Sequence, residues 1–495
     1  MVPLKKVPST KSVAFWLSVQ TSATVDRLTW LLTLAIGLCL FAILYRRGYD
    51  DPYITYRYAA NLAAGNGFVY NPGVATLSTT APLFGLILAP VALAGWSIPL
   101  LANLISCLSH AAGGLALWWL GRLWGDPLTG AGAALLYLLF PLPLTTVGSE
   151  TLPAMALTLW SFVYAVQGRQ TLAGSLIGLL VWLRPDGILV GPFALLIMLM
   201  ADQRWRNWRC WPWRAAWIWI AIVTAGIGLA WLSYGTPLPL TLYAKQRQAL
   251  VPGAYDFVDR LRVTVTDYLR QPFYWFVFAV SVVGIVATWR SRWWLIPIGW
   301  AVVYGLAYAM LGVAGYFWYV APLVIGLAPA FGLGSRVLID GLRRMVGQRL
   351  ALVGGMIVLL GAAFWLSGAV IRIGQQIDQR LIVYRAAGEW LAVNTPPSAS
   401  VATLEIGIIG YYARRPMIDF AGLIQPDIAS QLGVGDYLAA ASYAIDRYQP
   451  DYLVLYEHIF PLLATRSDLA ERCPVAAAIP DPRYSYPLTI HACRW

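Results

Sequence analysis

Apolar runs recur along this chain from residue 28 to residue 370, and the short segments between them hold most of its lysines and arginines. A helix of ~20 apolar residues crosses the ~30 Å hydrocarbon core of a bilayer. Only helices and closed barrels satisfy all their backbone polar groups there. The runs lie near 28–45, 98–120, 128–146, 150–167, 171–183, 187–200, 215–233, 273–289, 293–312, 319–335 and 350–370. They predict an α-helical polytopic membrane protein with about 11 transmembrane helices. Composition agrees, since 59% of the 495 residues are hydrophobic and 12% are charged, outside the range of soluble globular proteins.

One more apolar segment, Pro82 to Gly95, has about fourteen residues bracketed by Pro and Gly. It is too short to cross and reads as re-entrant or interfacial. That choice decides the side of everything downstream, and charge checks it. Lys5, Lys6 and Lys11, then Arg122, Arg169, the cluster Arg204, Arg206, Arg209 and Arg214, then Arg290, Arg292, Arg336, Arg343, Arg344 and Arg349 all fall on one side. By the positive-inside rule that side, with the amino terminus, is cytoplasmic. The run at 28–45 is a retained first span, because Tyr45-Arg46-Arg47 offers no small-residue cleavage site. The net charge of +12 thus reads as topology, and no nucleic-acid partner is expected.

The same parity puts Asp50, Asp51, Glu150, Arg184, Asp186 and Lys245 outside, together with all of 371–495. Residues 1–370 form the transmembrane domain. In 371–495, polar helix-like stretches alternate with short apolar runs such as Ala399 to Leu404, Met417 to Phe420 and Tyr452 to Tyr456, the pattern of an external α/β domain. Residues 234–272 read as an amphipathic segment lying on the outer leaflet. The five Cys and three His have no metal-ligand or C-x-x-C spacing, which argues against a zinc or dithiol enzyme. Cys473 and Cys493 are alone in sharing the oxidising compartment, so a disulfide between them is expected.

The outward groups divide into carboxylates (Asp50, Asp51, Glu150) and cations (Arg57, Arg184, Lys245). A carboxylate can accept an acceptor's proton, or share a hard divalent cation with a second carboxylate, while Arg or Lys holds a departing phosphate. The set suits transfer of a group from a phosphate to a hydroxyl. The plainer readings are a helix-capping Asp in a solvated loop, Arg and Lys anchored to lipid headgroups, and an ordinary loop at Leu183 to Gly187. A transporter or flippase of lipid-linked sugars is the competing class. It would place polar residues at the bilayer midplane between repeated halves, whereas here they collect at one face and no repeat is visible.

The stretch D-D-P-Y-I-T-Y-R-Y-A-x-N-L-x-x-G-x-G-F-V-Y-N-P-G, from Asp50 to Gly73, resembles the first external loop of polyprenyl-phosphate-sugar-dependent glycosyltransferases of the GT-C superfamily, in their arabinofuranosyltransferase-like and mannosyltransferase-like branch. Gly148 to Thr151 is similar to the branch's G-x-E-T element, Leu183 to Gly187 to its L-x-R-P-D-G turn, and Leu238 to Lys245 to its L-P-x-T-x-Y-A-K segment. Glu405 to Tyr412 and Ile418 to Gly422 resemble its external carboxy-terminal domain. Val74 to Leu83 departs from the pattern in having no acidic residue.

The resemblance implies an inverting hexosyl- or pentosyltransferase of the bacterial plasma membrane. Its donor would be a polyprenyl-phosphate sugar and its acceptor a cell-envelope glycan, lipid or protein. Asp50 or Asp51 would assist the nucleophile, directly or through a divalent cation (Mg, Mn or Ca) shared by Asp50, Asp51 and Glu150. Arg57, Asn71, Arg184, Asp186, Tyr243, Lys245, Tyr316 and Tyr319 are the expected substrate contacts.

Overall fold

A computed structural model describes residues 23–201 and 206–495. Lys5, Lys6, Lys11 and Arg204 lie outside the described residues. Among the described residues six helices are long and apolar enough to cross a membrane, and a seventh span results if Phe257–Leu269 and Pro272–Val286, bent by 115°, count as one. Five shorter apolar helices accompany them, Pro82–Leu93 included. The chain is an integral membrane protein with a helical bundle and a small carboxy-terminal sheet domain.

The run at 128–146 is not one helix. Pro127–Leu139 stops at Phe140, where Pro141 supplies no N–H, and a single turn, Pro141–Leu144, follows. Ile98–Leu123 packs on Ala23–Leu44, Pro127–Leu139 and Thr151–Val166. Val324–Val346 crosses Pro272–Val286 so closely that a Cβ at Gly284 would run into the carbonyl of Ala330, and one at Gly334 into that of Val280. Small residues at such crossings let backbones approach where no hydrophobic effect drives helices together.

Ile98–Leu123 also shows how the bundle is polarised. Near its start Asn103 donates to the carbonyls of Tyr45 and Arg47. Its 26 residues then run about 39 Å to the far end. There Asp126 accepts from Arg336 at 2.6 Å and from the Trp294 indole at 3.2 Å.

The last long helix continues to Gln375, and the sheet domain follows it. Strands β1 (Val401–Thr403), β2 (Met417–Asp419), β3 (Tyr452–Leu455), β4 (Val475–Ile479) and β5 (Leu488–Ala492) lie in the order β2-β1-β3-β5-β4. β1 is parallel to both β2 and β3, while β5 is antiparallel to β3 and β4. Helix Gly407–Ala413 makes the crossover from β1 to β2, and Pro426–Leu432 with Tyr437–Tyr448 the one from β2 to β3, as parallel strands require. Cys473, just before β4, is bonded to Cys493, just after β5.

The segment 234–272 holds two helices, and the first differs from the expected surface lamella. That helix, Leu240–Gln248, buries Thr241, Ala244, Lys245 and Gln248 and packs against Pro426–Leu432. The second, Phe257–Leu269, buries Phe257 and leaves Arg262 and Asp267 exposed.

Candidate active site

A cavity of about 310 Å³ opens where the first loop, the Leu183–Gly187 turn, helix Leu240–Gln248 and the Tyr316–Tyr319 segment meet. Asp51, Glu150, Arg184, Asp186, Lys245 and Tyr319 all line it, among apolar side chains such as Leu189, Leu238, Leu242 and Leu311. Residues almost two hundred positions apart in sequence are thus neighbours.

Local sequence explains each placement. Pro52 starts helix Pro52–Ala63 and leaves Asp51 at its amino-terminal edge. Gly148, at φ +95°, turns the chain in a way a side chain would oppose, because a Cβ there would meet Asn103 Oδ1 at 2.7 Å. Its carbonyl accepts from the Tyr56 hydroxyl, which fixes Ser149 and Glu150 at the head of Thr151–Val166. Pro185 ends helix Gln170–Leu183, so Arg184 leaves it with extended backbone and points into the cavity.

The two cations are buried, each against a carboxylate. Lys245 Nζ lies 2.8 Å from Asp51 Oδ2 and sits over the rings of Tyr316 and Trp318, 4.2 and 4.9 Å from their centroids. Burial pulls its basicity down, but the Asp51 carboxylate more than offsets this and leaves Lys245 above the usual ammonium range. Arg184 reaches Asp186 at 2.6 Å, Glu150 at 3.4 Å and the Thr151 hydroxyl at 3.0 Å, and Tyr308 donates to Asp186 at 2.6 Å. Each cation keeps a face to the cavity.

Asp50 has a different position from its neighbour. It accepts from the backbone N–H groups of Gly407 and Ile408, at 2.8 and 2.7 Å, and lines a second cavity of about 380 Å³ with Glu405, Arg380 and Tyr316. Asp51 and Lys245 line both cavities and form the partition between them. Burial raises the Asp50 pKa to about 6, against the two N–H donors that lower it and with Asp51 adding to the rise. Glu405 is also pushed up, by burial and then by Asp50. Burial carries Asp419 to about 7 although it accepts from the amides of Ala421 and Leu423.

Three expected substrate contacts lie elsewhere. The buried Arg57 guanidinium is consumed by the carbonyls of Gly410 and Arg415, each at 2.5 Å, and of Tyr70 at 2.8 Å. Asn71 exchanges two hydrogen bonds with the backbone of Met417, where β2 exposes its outer edge. Both residues clamp the first loop to the sheet domain. Tyr243 lines a neighbouring pocket of about 510 Å³ that shares Leu238, Pro239 and Leu242 with the first cavity, and its ring carries Arg247.

The three carboxylates proposed to share a cation do not fit one. Asp50 is taken by backbone amides, Asp51 by Lys245 and Glu150 by Arg184. Among the described residues no group of three or more His, Cys, Asp or Glu could hold a metal ion. Sequence reasoning did not single out Trp318, Tyr308 or Arg380. Trp318 belongs to an aromatic run indistinguishable from an interfacial belt, and Arg380 reaches the site only through the docking of the sheet domain.

Residues 371–490 match the family described as a domain of unknown function (DUF8728). No curated protein matches the sequence. Among solved structures, ArnT from Cupriavidus metallidurans bound to undecaprenyl phosphate superposes with a TM-score of 0.64 at 14% identity, over 95% of this chain and 98% of that one. The archaeal oligosaccharyltransferase AglB from Archaeoglobus fulgidus, in complex with an inhibitory peptide and a dolichol-phosphate, gives 0.57 at 13% identity, over 88% and 70%. The Archaeoglobus enzyme in complex with Zn and sulfate gives 0.54 at 14% identity, over 86% and 67%. The chain therefore shares the fold of ArnT and of the archaeal oligosaccharyltransferase.

Proposed function

We propose that this protein is an inverting glycosyltransferase. It moves a sugar, a hexose or a pentose, from a polyprenyl-phosphate donor to a cell-envelope glycan, lipid or protein at the outer face of the membrane, with the sheet domain outside. The observation that carries the reading is the placement of Asp51 and Lys245 as a partition between two cavities within a GT-C fold.

In the 310 Å³ cavity, Arg184 and Lys245 face the donor phosphate, and the apolar wall accommodates the first part of the lipid. The acceptor hydroxyl approaches Asp51 from the opposite side. Its oxygen attacks the anomeric carbon as the proton passes to the Asp51 carboxylate. The bond from that carbon to the phosphate oxygen breaks, and the polyprenyl phosphate leaves with its new charge on Lys245 and Arg184. A single displacement from the far side inverts the anomeric centre. No step is routed through a cation, because each of the three carboxylates is already engaged, by backbone amides, Lys245 or Arg184.

Purified protein with a panel of polyprenyl-phosphate sugars tests the reading. Asp51→Asn should cost ~100-fold to ~10,000-fold in turnover while donor binding survives, the range for losing a general base. Wild-type turnover in that variant would remove Asp51 from the mechanism.

A further inference from the structure

The sheet domain contains a cavity of its own, of about 450 Å³, within the size range of small-molecule sites. Its floor is the carboxyl ends of two adjacent parallel strands, Thr403 to Glu405 after β1 and Val454 to Tyr456 at β3. From β1 the chain crosses first to β2 on one side and then to β3 on the other, so the strand order reverses between β1 and β3. Open α/β sheets bind ligands in the crevice at such a point, where no helix covers the strand ends.

The lining selects a ligand class. Arg380 is paired with Asp378 at 2.7 Å, and Arg483 with Asp481 at 2.5 Å, so both guanidinium groups enter the lining as parts of ion pairs. Tyr456 and Tyr484 stand 5.6 Å apart at the cavity, and His458 and Tyr486 extend the aromatic surface outward. Paired carboxylate and guanidinium groups offer hydrogen bonds to hydroxyls, and aromatic faces offer packing to C–H groups. An uncharged polyol ring uses both. Glu405 and Arg380 also line the cavity that ends at Asp51. The three cavities therefore form one series.

We propose that the switch-point cavity of the sheet domain binds a neutral saccharide, and that it holds the acceptor glycan while the hydroxyl to be glycosylated reaches Asp51 past Glu405 and Arg380. The acceptor role rests on the glycosyl-transfer reading; the binding site does not.

The test uses the full-length protein in lipid nanodiscs, without donor, and fluorescently labelled neutral tetrasaccharides of mannose, glucose, galactose and arabinose, with inorganic phosphate as competitor. At least one tetrasaccharide should bind saturably and resist phosphate. Tyr484→Ala removes a rim aromatic, and Ile459→Trp fills the mouth from an exposed position. Each should weaken binding about tenfold and raise the acceptor KM similarly, with the donor KM unchanged. No saturable binding by any tetrasaccharide, or displacement by phosphate, overturns the site. Weakened binding with an unchanged acceptor KM overturns the acceptor role. Binding that the variants weaken, in a protein that transfers no sugar, keeps the site and removes the role together with the reading beneath it.

Discussion

The two ends of the helical bundle treat charge in opposite ways. At the end that carries the sheet domain, the Lys245 and Arg184 side chains are 4% and 5% exposed, and carboxylates neutralise both. At the far end Arg206, Arg209, Arg214, Arg344 and Arg349 are exposed; one carboxylate, Asp126, is buried there, but its partner Arg336 keeps 39% of its side chain accessible. Exposed arginines remain hydrated and cost the fold little. Burying a charge costs several kcal/mol per ion, so the first end maintains an arrangement that stability alone does not require. Such a site is where chemistry is to be sought.

The largest effect expected from breaking this contrast is Lys245→Met. It strips Asp51 of its partner in a recess; removing one member of a fully buried pair typically costs ~3–5 kcal/mol, and the 33% exposure of the Asp51 side chain places the cost below that range. Thermal unfolding of the purified protein should show a clear fall. The double variant Asp51→Asn, Lys245→Met should regain much of it, since no orphan charge is left. Equal melting of wild type and Lys245→Met would show that water already solvates Asp51, and the two ends would cease to differ.

The disulfide gives an effect of similar size. Cys473 and Cys493 are 20 residues apart, and a loop of that size is worth ~3 kcal/mol in the chain-entropy view. Reduction should lower the unfolding temperature of the sheet domain. In intact cells an impermeant thiol reagent should label these two cysteines only after reduction, and should never label the exposed Cys210 near the basic end. Labelling of Cys210 in unbroken cells would reverse the proposed orientation.

How far the sequence reveals this arrangement depends on the range of the interaction. Long spans such as 98–120 and 215–233 are legible because bilayer thickness acts on every residue of a run. The break at Phe140-Pro141 needed more weight on the missing Pro N–H than a hydrophobic pattern supplies. Arg57 looks like a free cation beside the site, yet its partner Gly410 is 353 positions away. Asp50 and Asp51 are adjacent and chemically identical in sequence. Only the docking of Gly407 and Ile408 onto the first makes it a strut and leaves the second facing both cavities.

That asymmetry has a pH signature. Asp50 rises from 3.8 to about 6 in the folded protein, so between these values the folded chain holds a proton that the unfolded chain has lost. Stability attributable to Asp50 therefore increases as pH falls from 7 toward 4, opposite to an ordinary ion-paired aspartate. Asp419 acts in the same direction, while His491, held below its usual value by burial, opposes both below pH 6.5. Comparison with Asp50→Asn cancels the His491 contribution and the part of the Asp419 rise that burial causes, while the part that Asp50 causes adds to the trend. The melting temperature of wild type minus that of Asp50→Asn should grow from pH 7.5 to pH 5. Relief of Glu405 in the variant adds to the trend, because Asp50 is among the causes of its raised pKa. A difference that stays flat would mean that Asp50 is solvated like a surface carboxylate.

The smallest effect belongs to the far end and calibrates the rest. Arg343 pairs with Asp340 at 3.2 Å, three residues along one helix, with the two side chains 30% and 37% exposed. Water and salt screen such a pair, and holding two mobile side chains together offsets most of the attraction, so pairs of this kind contribute ~0–1 kcal/mol. Arg343→Gln should leave turnover unchanged and shift melting by no more than about a degree or two, the scale of a few tenths of a kcal/mol in a domain of this size. The shift should also shrink as salt is raised, because the pair lies within reach of the ionic atmosphere. A loss comparable to that of Lys245→Met would show that this half-exposed pair is obligatory, and partial exposure would no longer separate the charges of the two ends.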